Sequence, residues 1–303
     1  MQHALRFVDV VKTYGGKRAL DGLTFDVPTG GITGFVGPNG AGKTTTFSVV
    51  SGFLTQDEGA LEILGLPAFD PWKHRGRLGV LPQDAELSDR HTPLELLTHL
   101  ARLQGMGGRD AAREASRVVD VVRLSERGSS RIASLSHGMR RRVAVASALL
   151  GSPELVLLDE PMAGLDPLQA KSLREALAEL RGRQTLVVSS HNLDELERFC
   201  DHVVMIDQGR CLRQGPIGAV TGQQELVQWW LAGPPPLDAL ATALPDHSFT
   251  FADGVLAQRA PSGADLDAAS LVLMGALVSA GVAVRAVRRG KGLEHQFLED
   301  AAR

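Results

Sequence analysis

Two short stretches carry residue types that can do chemistry. The first, Gly37-Pro38-Asn39-Gly40-Ala41-Gly42-Lys43-Thr44-Thr45, fits the spacing GxxxxGK[ST]. Its glycines let successive backbone N–H groups turn inward toward phosphate oxygens. A helix starting at Lys43 adds the partial positive charge of its N-terminus. Lys43 can reach the β- and γ-phosphates of a nucleotide, and the Thr44 hydroxyl can ligate Mg²⁺. The second stretch, Leu155-Val156-Leu157-Leu158-Asp159-Glu160, is an apolar run ending in two acids. Asp159 suits a Mg²⁺ held directly or through water. Glu160, projecting to the other side of the strand, suits a base that polarises an attacking water.

These residues work only if the fold brings them together. Apolar runs at Ile32–Gly37, Leu78–Pro82, Leu155–Asp159, Leu186–Ser189 and Val203–Asp207 read as buried strands of a largely parallel sheet. Helical periodicity fits Lys43–Gly52, Pro93–Gln104, Arg109–Arg123, Gly138–Leu150, Pro167–Arg181 and Asn192–Cys200. Pro93 and Pro167 stand where a helix's first residue has no need of its N–H. Three of these helical stretches follow one another without a strand, which predicts a helical insert at about 84–150 in an α/β frame.

The style changes after about residue 220. Pro234-Pro235-Pro236 cannot continue a helix. Ser248–Phe251 and Val255–Arg259 flank Ala252-Asp253-Gly254, a hairpin pattern. A helix at Asp265–Ala280, a strand at Val282–Val287 and a short helix at Leu293–Ala301 are expected to follow. The expected organisation is a nucleotide-binding domain over 1–220 and an α+β accessory or regulatory domain over 221–303.

Composition sets limits on partners and location. The chain has 303 residues, with 32 Lys plus Arg against 35 Asp plus Glu and a formal net charge of −3. That balance argues against a dedicated nucleic-acid binder, which carries a basic excess. Cys200 and Cys211 are the two cysteines, and neither belongs to a CxxC, so neither a zinc site nor a disulfide framework is expected. The longest apolar candidate, Leu271 to Val284, is too short and too glycine-rich to span a membrane. Met1–Val11 lacks the apolar core of a signal peptide.

Taken in order along the chain, the chemistry-bearing residues resemble the nucleotide-binding subunits of ATP-binding-cassette (ABC) transporters, over about residues 4–215. Tyr14 resembles the aromatic that stacks on adenine, and Gly37–Thr45 resembles the Walker A loop. Gln83 resembles the Q-loop glutamine that senses Mg²⁺ and links to the membrane subunit. Leu135-Ser136-His137-Gly138-Met139 resembles the signature LSGGQ, with His137 and Met139 as its departures. Asp159 and Glu160 resemble the Walker B acids. Asp166, in Ala163-Gly164-Leu165-Asp166, resembles the D-loop aspartate, and His191 resembles the switch histidine. Met139 before Arg140-Arg141-Arg142 resembles the type-2 exporter class, which exports drugs and lipids. The tail Leu293-Glu294-His295-Gln296-Phe297-Leu298 resembles the LEDVFL ending of that class. The arginine run itself reads as a solvated or paired helix face.

The resemblance implies a P-loop ABC ATPase fold, with ATP and Mg²⁺ as cofactors. It implies catalytic roles for Glu160, His191 and Lys43, and Mg²⁺ ligation by Thr44, Gln83 and Asp159. Ser136, His137, Gly138 and Met139 would contact ATP held by a second nucleotide-binding subunit, expected as a homodimer. A separate transmembrane permease would be the other partner, with the chain peripheral at the cytoplasmic face and no nucleic acid involved. The alternative is a soluble ABC ATPase acting on ribosomes or in DNA repair. A single cassette without a heptad run argues against that alternative.

Overall fold

The computed structural model describes residues 2–223 and 225–301. The chain divides into two compact units, Met1–Gln214 and Gly215–Arg303. The first unit opens with β1 (His3–Tyr14), β2 (Lys17–Pro28), β3 (Ile32–Val36) and α1 (Lys43–Val50). Next come β4 (Glu58–Ile63), β5 (Leu66–Pro67) and β6 (Leu78–Leu81). Three helices follow, α2 (Pro93–Leu103), α3 (Gly108–Val121) and α4 (His137–Ala148). The unit continues through β7 (Leu155–Leu158), α5 (Pro167–Ala178), β8 (Thr185–Ser190), α6 (Leu193–Glu197) and β9 (His202–Asp207). The last strand, β10 (Arg210–Pro216), runs past the unit boundary.

A six-stranded sheet in the order β10-β9-β3-β8-β7-β6 forms the frame. The pairs β3–β8, β3–β9, β7–β8 and β6–β7 are all parallel. Every residue of β3, β7 and β8 is buried, which explains their unbroken apolar runs. Parallel pairing puts the C-terminal ends of β3, β6, β7 and β8 on one edge, where open α/β sheets bind ligands.

A second sheet, ordered β2-β1-β4-β5 with every pair antiparallel, is not legible in the sequence pattern. The reason is visible in β1. Its pairing with β2 slips at four places, and Asp9 has a φ of 50°, so inward and outward residues do not alternate strictly. The two sheets share a core through their phenylalanines. Phe7 stacks on Phe25 at 4.5 Å, Phe25 meets Phe35 at 5.3 Å, and Phe35 meets Phe47 at 5.7 Å between ring centroids. This row runs from the antiparallel sheet through β3 into α1 and clamps both ends of the loop at 37–42.

Helix starts follow local chemistry. Thr92 caps α2 in a reciprocal box with Glu95, and Pro93 stands at its start. Ser136 caps α4 and accepts from the Met139 N–H at 3.3 Å. Asp166 caps α5, accepting from Leu168 and Gln169. Gly79 of β6 gives α4 its close approach, since a Cβ there would lie 2.0 Å from the Ala148 carbonyl oxygen.

The second unit carries α7 (Ile217–Val220), β11 (Leu226–Leu231), α8 (Leu237–Ala243), β12 (Ser248–Ala252) and β13 (Val255–Arg259). It ends with α9 (Leu266–Ser279), β14 (Val284–Arg289) and α10 (Leu293–Ala301). The strand order β12-β13-β11-β14, antiparallel throughout, with helices after the first and third strands, is a split βαβ of ferredoxin-like topology. The sequence pattern predicts the β12–β13 hairpin, α9, β14 and α10, but neither β11 nor α8. Pro236, read as a break, is the N-cap of α8. The core of the unit is Trp229, Val227, Leu231, Leu240, Leu256, Leu273 and Leu277. The buried Trp229 indole N–H donates to Gln258 Oε1 at 3.2 Å.

Two predictions come from this packing. Burial pushes the Cys211 thiol up to about 11 and the Cys200 thiol higher still. Both should label slowly with iodoacetamide at neutral pH in native protein and quickly in denaturant, because the thiolate is the reactive form. A Cβ on Gly37 would stand 2.3 Å from the Ile206 carbonyl oxygen. Gly37→Ala is expected to cost about 1–3 kcal/mol in a urea unfolding midpoint.

Candidate functional site

At the C-terminal edge of the parallel sheet lies a cleft of about 1030 Å³. Its lining includes Tyr14, Asn39, Gly40, Gly42, Lys43, Thr44, Thr45, Gln83, Asp159, Glu160, Ala163 and His191. Each of these but Ala163 is a residue that the sequence marked for chemistry; Tyr14 comes from the end of β1, and four parallel strand ends deliver the rest. The chain leaves β3 into the phosphate-loop segment, β6 into Gln83, β7 into Asp159 and Glu160, and β8 into His191. Gly40 and Gly42 have φ of 83° and 107°, so the loop uses backbone angles that glycine adopts freely. Gly42 is the N-cap of α1 without a side-chain cap, so first-turn N–H groups remain directed at the cleft.

Lys43 is buried, and its ammonium donates to the carbonyl oxygens of Gly37 at 2.6 Å and Pro38 at 3.1 Å. Burial pulls its pKa below the ordinary lysine value, while Glu160 and Asp159 oppose that shift. Negative charge in the cleft therefore favours the cationic form. The Thr44 hydroxyl donates to Asp159 Oδ2 at 3.1 Å. A threonine hydroxyl and a carboxylate facing each other across a cleft that Gln83 also lines make an all-oxygen donor set, which fits Mg²⁺.

The two acids are held by a residue that sequence reading did not single out. Ser189, fully buried at the end of β8, donates its hydroxyl to Asp159 Oδ1 at 2.5 Å. The Ser189 hydroxyl oxygen also accepts the Glu160 N–H at 2.8 Å. Glu160 has φ 49°, an uncommon angle for a residue with a side chain. Its carboxylate meets His191 Nδ1 at 3.1 and 3.2 Å. Glu160 is largely buried, whereas the His191 ring is about two-thirds exposed. Ser189 had a signal in sequence, standing two residues before His191 in Ser189-Ser190-His191.

Other marked residues lie apart from this cleft. Gly37, Pro38 and Ala41 complete the loop without lining it. Ser136, His137, Gly138 and Met139 form the start of α4 and are absent from the cleft wall, as is Asp166. His137 is exposed and lies against Gly164, where a Cβ would meet its Nε2 at 2.8 Å. Gly138 is buried under Gln169. The arginine run is not one solvated face. Arg140 pairs with Asp89 at 3.0 Å, Arg141 points inward to backbone carbonyls, and the buried Arg142 donates to the Val122 carbonyl at 3.1 Å. The Tyr14 end of the cleft is rimmed by Lys17, Arg18 and Asp21, with Asp21 bridging Arg18 and Arg210.

Comparison with known proteins agrees with this geometry. A family model described as ABC transporter matches residues 20–163. The Nod factor export ATP-binding protein I of Burkholderia orbicola (strain AU 1054) is 36% identical over 211 residues, covering 69% of each chain. The linearmycin resistance ATP-binding protein LnrL of Bacillus subtilis (strain 168) is 33% identical over 213 residues, 70% of this chain and 68% of that one. Among solved structures, an ATP-binding cassette of an ABC transporter in its ADP conformation superposes with a TM-score of 0.65 at 26% identity. That match covers 73% of this chain and 95% of the other. An ATP-binding subunit of an ABC transporter gives 0.63 at 30% identity, over 73% and 92%. The chain belongs to the ABC transporter family, as an ATP-binding subunit whose enzymatic activity is ATP hydrolysis coupled to transport.

Proposed function

We propose that this subunit powers outward transport through a separate permease, with Glu160 as the base for ATP hydrolysis. One observation carries the reading. Lys43, Thr44, Gln83, Asp159, Glu160 and His191, from four strand ends, meet in one cleft. A Nod factor export protein and a linearmycin resistance protein stand among the relatives, which supports export as the direction.

In this reading adenine stacks on Tyr14, and the phosphates lie in the loop from Gly37 to Thr45. The negative phosphates would offset the desolvation that burial imposes on the Lys43 ammonium. Thr44, Asp159 and Gln83 would hold Mg²⁺, which supplies charge neutralisation at the β- and γ-oxygens. Glu160 accepts a proton from water as that water attacks the γ-phosphate. Its backbone is fixed by Ser189 and its carboxylate by His191, so the base is aimed before substrate arrives. His191, released toward the γ-phosphate, stabilises developing charge there.

The signature residues lie outside their own chain's cleft, which supports a second copy as the complement. Ser136 and the amide of Gly138, at a helix start, would contact the γ-phosphate bound by the partner. ATP then favours the closed dimer through contacts made only in that state. Closure reaches the permease through Gln83 and the helices at 84–150. Among the described residues no helix is long and apolar enough to cross a membrane. The permease would thus hold the subunit at the cytoplasmic face, with residues from about 221 as an accessory, regulatory unit. No observation favours a ribosomal or DNA-repair role.

Two outcomes test the site. Glu160→Gln should bind ATP with near wild-type affinity while kcat falls by about 10²-fold or more, in line with loss of a general base. Wild-type turnover in that variant would remove Glu160 from the role. Ser189→Ala deletes one hydroxyl that serves both acids. It should cost about 1–3 kcal/mol of stability, measured by denaturant unfolding, because the Glu160 N–H is left unpaired.

A further inference from the structure

Arg141 is the one member of the arginine run whose guanidinium turns toward the acids. Its Nη2 donates to the carbonyl oxygen of Asp159 at 2.7 Å and to that of Glu160 at 2.8 Å. Its Nη1 donates to the carbonyl oxygen of Gln83 at 3.2 Å. One rigid fork thus grips two successive carbonyls at the end of β7 and a third at the end of β6. Two adjacent carbonyls can face one nitrogen only if the chain bends between them. The bend is the Glu160 backbone at φ 49°. A side-chain-bearing residue at such an angle costs about 1–3 kcal/mol and persists only when its surroundings over-determine it. The surroundings here are specific. Ser189 takes the Glu160 N–H, and Arg141 together with the Ala163 N–H takes its carbonyl.

We infer that Arg141 is a positioning residue of the ATPase reaction, holding the bend that aims Glu160 and tying it to the Gln83 loop. The inference rests on the reading of Glu160 as the base. Arg141 also belongs to α4, whose N-cap is Ser136. A shift of the signature helix along its axis is therefore transmitted to the base and to Gln83 through one side chain. The arrangement is not the most economical way to pin a helix. Arg141 Nε is buried without a partner, and burial draws the guanidinium below its ordinary pKa against the pull of Asp159, Glu160 and Asp84. An apolar residue would pin α4 without that desolvation cost, so the cation is placed for geometry as well as packing.

The test compares Arg141→Met and Arg141→Lys with the wild-type subunit. Steady-state ATPase, ATP affinity and melting temperature are measured on each full chain. Arg141→Met should lower kcat by about 10- to 100-fold, the scale of a misplaced catalytic group, with KM and ATP affinity within about twofold. Arg141→Lys keeps the charge without the fork and should fall between Met and wild type. In a Glu160→Gln background, adding Arg141→Met should lower kcat no further, because both changes remove the same function. A folded Arg141→Met with kcat within about twofold of wild type overturns the inference, as does a loss carried by KM. If the Met variant does not fold, Arg141→Lys decides by the same criteria. Glu160→Gln turning over like wild type would instead defeat the underlying reading of the base, and that outcome is visible without any Arg141 variant.

Discussion

The parallel hydrogen bonding of β3, β8, β7 and β6 is the constraint on which everything else in the cassette depends. β3, β7 and β8 are wholly buried and β6 is partly buried, so their backbone groups must pair with each other. Parallel pairing requires a crossover between strands, and each crossover leaves from the same edge. The segment that follows each strand consequently reaches the cleft. Asn39 and Gly40 lie just past β3, Asp159 and Glu160 follow β7, His191 follows β8, and Gln83 lies just past β6. A shift of one strand by one residue would turn Asp159 away from Thr44, because side chains alternate faces.

Around that edge, polar groups that are costly to bury are made to serve one another. Ser189 illustrates the logic. Its single hydroxyl accepts from Glu160 and donates to Asp159, which satisfies the buried hydroxyl and leaves Asp159 Oδ2 for Thr44. Asp159 is thereby held at one oxygen and available at the other. Glu160 is held at its backbone and paired at its carboxylate with an exposed, movable histidine. Rigid main chain and a mobile partner side chain are what a base needs if it is to be aimed and then released.

The aromatic row Phe7–Phe25–Phe35–Phe47 has a comparable position in the packing. It joins the antiparallel sheet, which carries Tyr14 at the end of β1, to the strand and helix that flank the phosphate loop. The adenine end and the phosphate end of the proposed site are thus parts of one core. In the second unit the same kind of burial makes an independent core around Trp229, so the ferredoxin-like unit has its own source of stability.

The amino-acid sequence by itself determined the residues whose meaning is local. The phosphate loop, the acid pair after an apolar run, the proline-marked starts of α2 and α5, and the order of the remaining motifs all depend on spacings of a few residues. Local spacing also located α9 and the β12–β13 hairpin. Only the tertiary structure decided what depends on pairing across the chain. The antiparallel sheet leaves no clear sequence pattern because bulges in β1 break the alternation that marks a half-buried strand. The joining of Thr44 to Asp159 spans 115 positions, that of Asp159 to Ser189 spans 30, and that of Arg141 to Gln83 spans 58. No spacing rule encodes such contacts. A serine near a strand end and an arginine in a basic run read as ordinary surface residues until the sheet closes over them. The physical reason is that a side chain's environment is set by what folds against it, and burial is a property of the whole chain.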